Sequence, residues 1–158
     1  CTCGQTGHLE TLASGTSIGL RYGEMTGVAG LSSREVADRA RAGDADAIAV
    51  FEAAGRAVAL ACAGAAGLLD LSTAVVGGGV ARAWDLLAPA IERTLATDSP
   101  VSGVTLRIVP ATLHTDAVAL GAAAAAKAIL LSGTAPSPDR PQTSHHSSSP
   151  HHEEGAVA

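Results

Sequence analysis

The segment from Asp44 to Leu69 constrains the fold more than any other part of the chain. Asp44 offers an N-cap and Asp46 a first-turn carboxylate, both favourable at the positive end of a helix dipole. From there Ile48, Phe51, Val58, Cys62 and Leu69 recur at spacings of three, four and seven, while Ala and Gly fill nearly every other face. A helix with so little side chain buries surface only where other backbone comes close to it. The chain must therefore build a core of small, closely packed side chains. Composition agrees: 47% of residues are hydrophobic, yet only 2% are aromatic, and 18 are glycine. Cys62, mid-helix among Ala and Leu, reads as one more small core residue.

Elements on either side follow from local signals. Leu9 to Tyr22 reads as one or two short helices broken at Gly15, followed by a Gly-rich link through Gly30. Ser32-x-x-Glu35 is a capping box opening a helix that stops at Gly43. Leu71 to Val76 is a β-branched run that ends in Gly77-Gly78-Gly79, and helical spacing returns from Ala81 to about Thr94 through Trp84, Leu87 and Ile91. Val104, Leu106 and Ile108 alternate with Thr105, Arg107 and Val109 as a second strand, and Asp116 to Leu130 forms a last, alanine-rich helix. The order helix, strand, helix, strand, helix is an α/β signature with helices covering a sheet. From Ser132 the chain is rich in Pro, Ser and His and is expected to be a disordered tail over 132–158.

Several function classes are excluded by charge and composition. A net charge of -5 leaves no basic footprint for nucleic acid or an anionic membrane. A single Trp84, Tyr22 and Phe51 cannot form base-stacking platforms. Val118 to Leu131, the longest apolar stretch, is too short to span a bilayer and is interrupted by Lys127. Three cysteines, an odd number, suit a reduced, cytoplasmic setting. The sequence has no initiator Met and opens inside a motif, so a fragment of a longer chain or a mis-started reading frame is expected.

Three places carry chemistry. Cys1, Cys3 and His8 supply three soft or borderline ligands on a loop with Gly4 and Gly7; zinc takes four, and the other reading is two reduced cysteines in a turn beside a solvated His8. His114 is the alternative fourth ligand within the region expected to be ordered. Glu10 opens the following helix, where it is either a ligand-binding carboxylate or a solvated first-turn residue. Gly77-Gly78-Gly79-Val80 is either a tight turn or a loop whose amides approach a nucleotide or other partly anionic group. It is no P-loop, because no Gly-Lys-Ser/Thr follows, and Arg82 stands where a dinucleotide fingerprint needs its third glycine. The histidines at 145, 146, 151 and 152 read as weak metal ligands or as low-complexity tail.

Taken together, Cys1-x-Cys3-Gly4-x-x-Gly7-His8-x-Glu10, Ala13-Ser14-Gly15, Val75-Val76-Gly77-Gly78-Gly79-Val80 and Ala119-Leu120-Gly121-Ala122-Ala123 resemble the C-terminal half of the ROK family in order and spacing. That family comprises bacterial sugar kinases and sugar-responsive repressors. The resemblance covers about residues 1 to 130 and implies an actin- and hexokinase-like ATPase fold. Residues 1–131 would form its C-terminal lobe, a mixed sheet covered by alanine-rich helices. It also implies that Glu10 contacts sugar hydroxyls and that Gly77, Gly78 and Gly79 lie against the adenosine and phosphates of ATP, which is used with Mg. Cys1, Cys3 and His8, with an upstream histidine, would hold a structural zinc; the usual pattern has a third cysteine where this sequence has His8.

The family's first phosphate loop, catalytic aspartate and Glu-x-Gly-His segment belong to an N-terminal lobe and are absent from these 158 residues. The expectation is therefore a glucokinase-like, ATP-dependent hexose kinase whose 158-residue portion is inactive alone, with sugar and ATP as partners and no membrane or nucleic acid bound by this chain itself. Dimers are common in the family, though the sequence shows no self-complementary patch. Two further readings stand beside it. One is the sugar-sensing domain of a ROK repressor, disfavoured by the intact triple glycine. The other is a metal-handling protein that would bind several ions.

Overall fold

A computed structural model of the chain describes residues 1, 3–113 and 116–132. His114 and the chain from 133 onward, including the tail histidines, lie outside the described residues. The elements run α1 (Glu10–Ala13), α2 (Gly15–Thr26), α3 (Ser33–Arg41), α4 (Ala45–Leu69), β1 (Thr73–Val76), a 3₁₀ turn (Gly79–Ala83), α5 (Trp84–Thr97), β2 (Arg107–Pro110) and α6 (Ala117–Ser132). Residues 1–118 form one compact unit and the chain from Ala119 a second. Taken by itself, α6 is an alanine helix with Lys127 as its one charged residue. Among the described residues the sheet is two parallel strands, with Thr73 opposite Arg107 and Val76 opposite Pro110.

Helix α4 is the core of the larger unit. Its buried stripe is Ala47, Val50, Phe51, Ala54, Gly55, Val58, Ala59, Ala63 and Ala66. Phe51 and Val58 fall on it as the periodicity predicts, but Ile48 is 37% exposed and Leu69 67% exposed. Alanine rather than the large aliphatic residues marks the inner face, because only a small side chain lets neighbouring backbone approach. The closest approach is to α5: a Cβ added at Gly55 would stand 2.8 Å from the Leu87 carbonyl oxygen and 2.9 Å from the Ala90 Cβ. Leu87 and Ile91 of α5 are buried against this stripe. Helix α4 is long and apolar enough to cross a membrane by length and composition, yet half of its most apolar window is buried inside the protein, as in a core helix. Cys62 is half-buried at the edge of the core, where loss of water pushes its thiol pKa up.

Local capping forms as the sequence predicts. Ser32 and Glu35 make the reciprocal capping box of α3, and Asp44 caps α4 by accepting from the Asp46 and Ala47 amides at 3.0 and 3.1 Å. Asp44 also ties three helices together: its other oxygen accepts from the buried Tyr22 hydroxyl of α2 at 2.7 Å, and Arg39 of α3 donates to that same hydroxyl at 3.1 Å. The Tyr22 hydrogen bond is the chief cause holding the Asp44 carboxyl below its usual range.

The N-terminal helices differ from expectation in two respects. Their break falls at Ser14, not Gly15; Ser14 is extended, ends α1 and accepts from the Ser17 amide as the cap of α2. Helix α2 then continues past Tyr22 to Thr26 instead of dissolving into a glycine link. Its glycines are packing residues. A Cβ at Gly19 would collide with the Leu31 carbonyl, and one at Gly23 would lie 3.2 Å from the Val28 carbonyl oxygen, so the returning segment seats directly on helix backbone. The strands are shorter than the alternation suggests: β1 starts at Thr73 and β2 at Arg107.

The contact at Gly55 sets a test. Gly55→Ala is expected to destabilise the chain by about 1–3 kcal/mol through overpacking. Gly64→Ala, on the same helix with nothing within 4 Å of the added Cβ, should stabilise it by roughly 0.5–1 kcal/mol from helix propensity alone. Urea unfolding of the two variants decides; equal effects would contradict the close-packing account.

Candidate functional site

Two separate surfaces hold the residues that the sequence singles out. The first is the N-terminal knuckle. Gly4 and Gly7 take left-handed backbone conformations, and the Gly4 amide closes a turn onto the Cys1 carbonyl at 3.0 Å. These turns bring the Cys1 and Cys3 thiols and the His8 ring together, their ligand atoms all within 4.8 Å of one another and the Cys3 Sγ 3.3 Å from His8 Nδ1. Tetrahedral zinc bonds of about 2.3 Å to sulfur and 2.0–2.1 Å to nitrogen place neighbouring ligand atoms roughly 3.5–3.8 Å apart. The three donors lie near this spacing, and small side-chain rotations would set them on one face of a single ion. All three residues are exposed.

Hydrogen bonds tie the knuckle to α1 and α2. The His8 carbonyl accepts from the Thr11 amide at 3.0 Å and the Thr11 hydroxyl at 2.7 Å, which starts α1 where the loop ends. Glu10 lies in that first turn. The Cys1 thiol donates to its carboxylate at 3.7 Å, and its carbonyl accepts from the Ser17 hydroxyl of α2 at 2.7 Å. The Glu10 backbone is therefore held between knuckle and α2, and its carboxylate, in contact with the Cys1 thiol, is exposed and accessible. It lines a groove of about 590 Å³ together with Thr11, Ser14, Ser17, Arg21 and Glu24. Hydroxyls, a guanidinium and carboxylates in one groove supply donors and acceptors for a polyhydroxylated ligand.

The second surface is the glycine loop. Strand β1 ends at Val76, whose carbonyl accepts from the Ala111 amide at 2.8 Å. Gly78 then takes φ 85 and ψ -173, a conformation open essentially to glycine alone, before the 3₁₀ turn leads into α5. Nothing lies within 4 Å of a Cβ built at Gly78 or Gly79, so the loop backbone can be approached from outside. Gly79 and Val80 form one wall of a cleft of about 840 Å³, with Ser32, Ser33 and Arg34 at the start of α3 among its other lining residues and Phe51 and Ala37 also contributing.

Arg41 spans from α3 to Asp85 in the first turn of α5 with two parallel hydrogen bonds of 2.9 Å, and also donates to Asp38 at 3.2 Å. These bonds hold the Asp85 carboxyl below, and the Arg41 guanidinium above, their ordinary pKa ranges. With side chains about half exposed, the pair fixes geometry more than it adds stability.

The structure thus joins Glu10 to the Cys1, Cys3 and His8 cluster, and places Gly79 in a cleft lined by none of them. The residues of α3 that line this cleft carry no sequence signal of their own. Ser32 and Glu35 mark a helix start, but nothing local sets that start beside a loop more than forty positions away.

The sequence matches the ROK family over residues 1–129. It is 34% identical over 140 residues to a glucokinase of Halalkalibacterium halodurans, covering 77% of this chain and 41% of that protein. It is 36% identical over 131 residues to an N-acetylmannosamine kinase of Yersinia pseudotuberculosis, covering 82% and 43%. The chain thus spans less than half the length of these two relatives. Among solved structures it resembles a ROK family glucokinase from Streptomyces griseus in complex with glucose and AMPPNP, with a TM-score of 0.68 and 25% identity over 81% of this chain and 47% of that one. It also resembles a ROK family transcriptional regulator homologous to the E. coli MLC protein, with a TM-score of 0.57 and 29% identity over 70% of this chain and 30% of that one. The fold is that of the actin- and hexokinase-like sugar kinases.

The Gly78 backbone sets a second test. Gly78→Ala should cost about 1–3 kcal/mol of stability from backbone strain, with no steric clash involved. Gly79→Ala, at an ordinary φ in equally open space, should cost far less. Matching unfolding midpoints for the two variants would contradict the assigned loop conformation.

Proposed function

The chain belongs to the ROK family, and from that premise we propose that it is the C-terminal lobe of an ATP-dependent, glucokinase-like hexose kinase. The observation that carries the reading is the run of strand Thr73–Val76, triple glycine and 3₁₀ turn Gly79–Ala83, whose Gly79 and Val80 line a cleft of about 840 Å³, large enough for a nucleotide. In this reading the amides of Gly77, Gly78 and Gly79 face the adenosine and phosphates of ATP, which arrives with Mg. Open space around the loop lets phosphate oxygens come close to backbone, which side chains would otherwise prevent. The AMPPNP and glucose held by the Streptomyces griseus relative support the same pair of small-molecule partners here.

Glu10 has the sugar role. A carboxylate is an acceptor only, so it takes hydrogen bonds from two sugar hydroxyls and orients the ring for transfer. The Ser17 hydroxyl, bound to the Glu10 carbonyl, fixes the main chain from which that carboxylate extends. Cys1, Cys3 and His8 fit a structural zinc, whose contribution would be to stiffen the loop from which Glu10 emerges. Thiols this exposed stay reduced, and competent to bind metal, in the cytoplasm.

In phosphoryl transfer the rate comes from positioning and charge stabilisation. The 158 residues contain no match to the family's catalytic aspartate or first phosphate loop; in this reading the proton acceptor belongs to an N-terminal lobe. The sensor reading has support from the likeness to the transcriptional regulator. The intact Gly77-Gly78-Gly79 favours the kinase, since a sensor does not need to hold ATP.

The purified 158-residue chain should not phosphorylate glucose above a no-protein control in a coupled assay. In a protein carrying both lobes, Glu10→Gln should weaken hexose binding about tenfold or more by isothermal titration, the scale of a hydrogen bond to a charged group. Unchanged hexose affinity in Glu10→Gln would remove Glu10 from the sugar site.

A further inference from the structure

The cleft beside the glycine loop carries a cation that the fold does not use. Arg34, Arg41 and Arg82 line it, against a single carboxylate, Asp38. Arg41 is bound to Asp85 and Asp38, and Arg82 has an interaction of its own. The Arg34 side chain is exposed and makes no hydrogen bond or ion pair with any described residue. Its natural helical partner is Asp38, four positions on, yet the Asp38 carboxylate accepts from Arg41 instead. Arg34 also stands in the first turn of α3, where the helix dipole disfavours a cation. No stabilising role accounts for an arginine at this position. The cleft does offer one: an apolar part formed by Phe51, Ala37 and Ala83, and a glycine loop on the other wall.

We propose that Arg34 binds the phosphate chain of the nucleotide from the α3 side of the cleft and so sets its preference for a polyphosphate over an uncharged nucleoside. The inference rests on the nucleotide reading of the Gly77–Gly79 loop and adds a side chain to it. Arginine suits the task because its planar fork makes paired, charge-assisted bonds to phosphate oxygens. The guanidinium acts by binding, not as a proton donor or acceptor, since it stays charged.

The test titrates AMPPNP, and separately adenosine, into the 158-residue chain and into its Arg34→Gln and Arg34→Lys variants, with circular dichroism as the check on folding. Arg34→Gln should raise the dissociation constant for AMPPNP roughly tenfold and leave that for adenosine unchanged, with Arg34→Lys in between. Unaltered AMPPNP binding by a folded Arg34→Gln would overturn the proposal. So would an equal loss for both ligands, which would put Arg34 on the base or ribose. A wild-type chain that binds neither ligand would overturn the nucleotide reading itself, and the role of Arg34 with it.

Discussion

Close approach of backbone to backbone across α4 is the constraint on which the larger unit depends. The helix offers alanine and glycine on its inner face, so α5 can come within contact of Gly55 through its own main chain. Each such residue buries little apolar area, and stability has to come from many tight contacts of the kind that dense packing supplies. The same device recurs at Gly19 and Gly23, where a returning loop rests on α2. One aromatic pair of anchors, Phe51 and Tyr22, closes what the small residues leave open, and Tyr22 adds its hydroxyl to the Asp44 cap.

That core positions both candidate surfaces. Helix α4 supplies Phe51 to the cleft beside the glycine loop, while α3, docked on α4 and clamped to α5 by Arg41 and Asp85, supplies its basic wall. Helix α2, docked on the same core through Ile18 and Tyr22, holds the Glu10 carbonyl through Ser17. Sugar-binding and nucleotide-binding parts of a transferase must keep a fixed separation for in-line transfer. In the proposed reading the Glu10 groove and the glycine-loop cleft are those parts, and both hang from the same tightly packed scaffold.

Local features were the legible ones in the sequence. The capping box at Ser32 and Glu35, the cap at Asp44 and the strand before Gly77 form as expected, because each depends on residues two to four positions apart. The clustering of Cys1, Cys3 and His8 is legible for the same reason, the three falling within eight positions. The stripe of α4 was only half legible: Ile48 and Leu69 are large and periodic but face outward, since packing distance outweighs side-chain hydrophobicity in a helix that must be approached closely. Gly15 reads as a break and Gly23 as part of a link because the segment that packs on them lies further along the sequence. The Arg41 and Asp85 clamp, 44 positions apart, and the placing of Arg34 and Gly79 on one cleft carry no sequence signature at all. They exist only once α3, α4 and α5 have packed.

The central claim is that a nucleotide seats on the triple glycine beside α3. An amide-resolved NMR titration of the 158-residue chain with AMPPNP tests it most directly. The account predicts the largest shift changes at Gly77, Gly78, Gly79 and Val80, with a second set at Ser33 and Arg34. Shifts confined to the knuckle and the Glu10 groove, or none at saturating nucleotide, would contradict it.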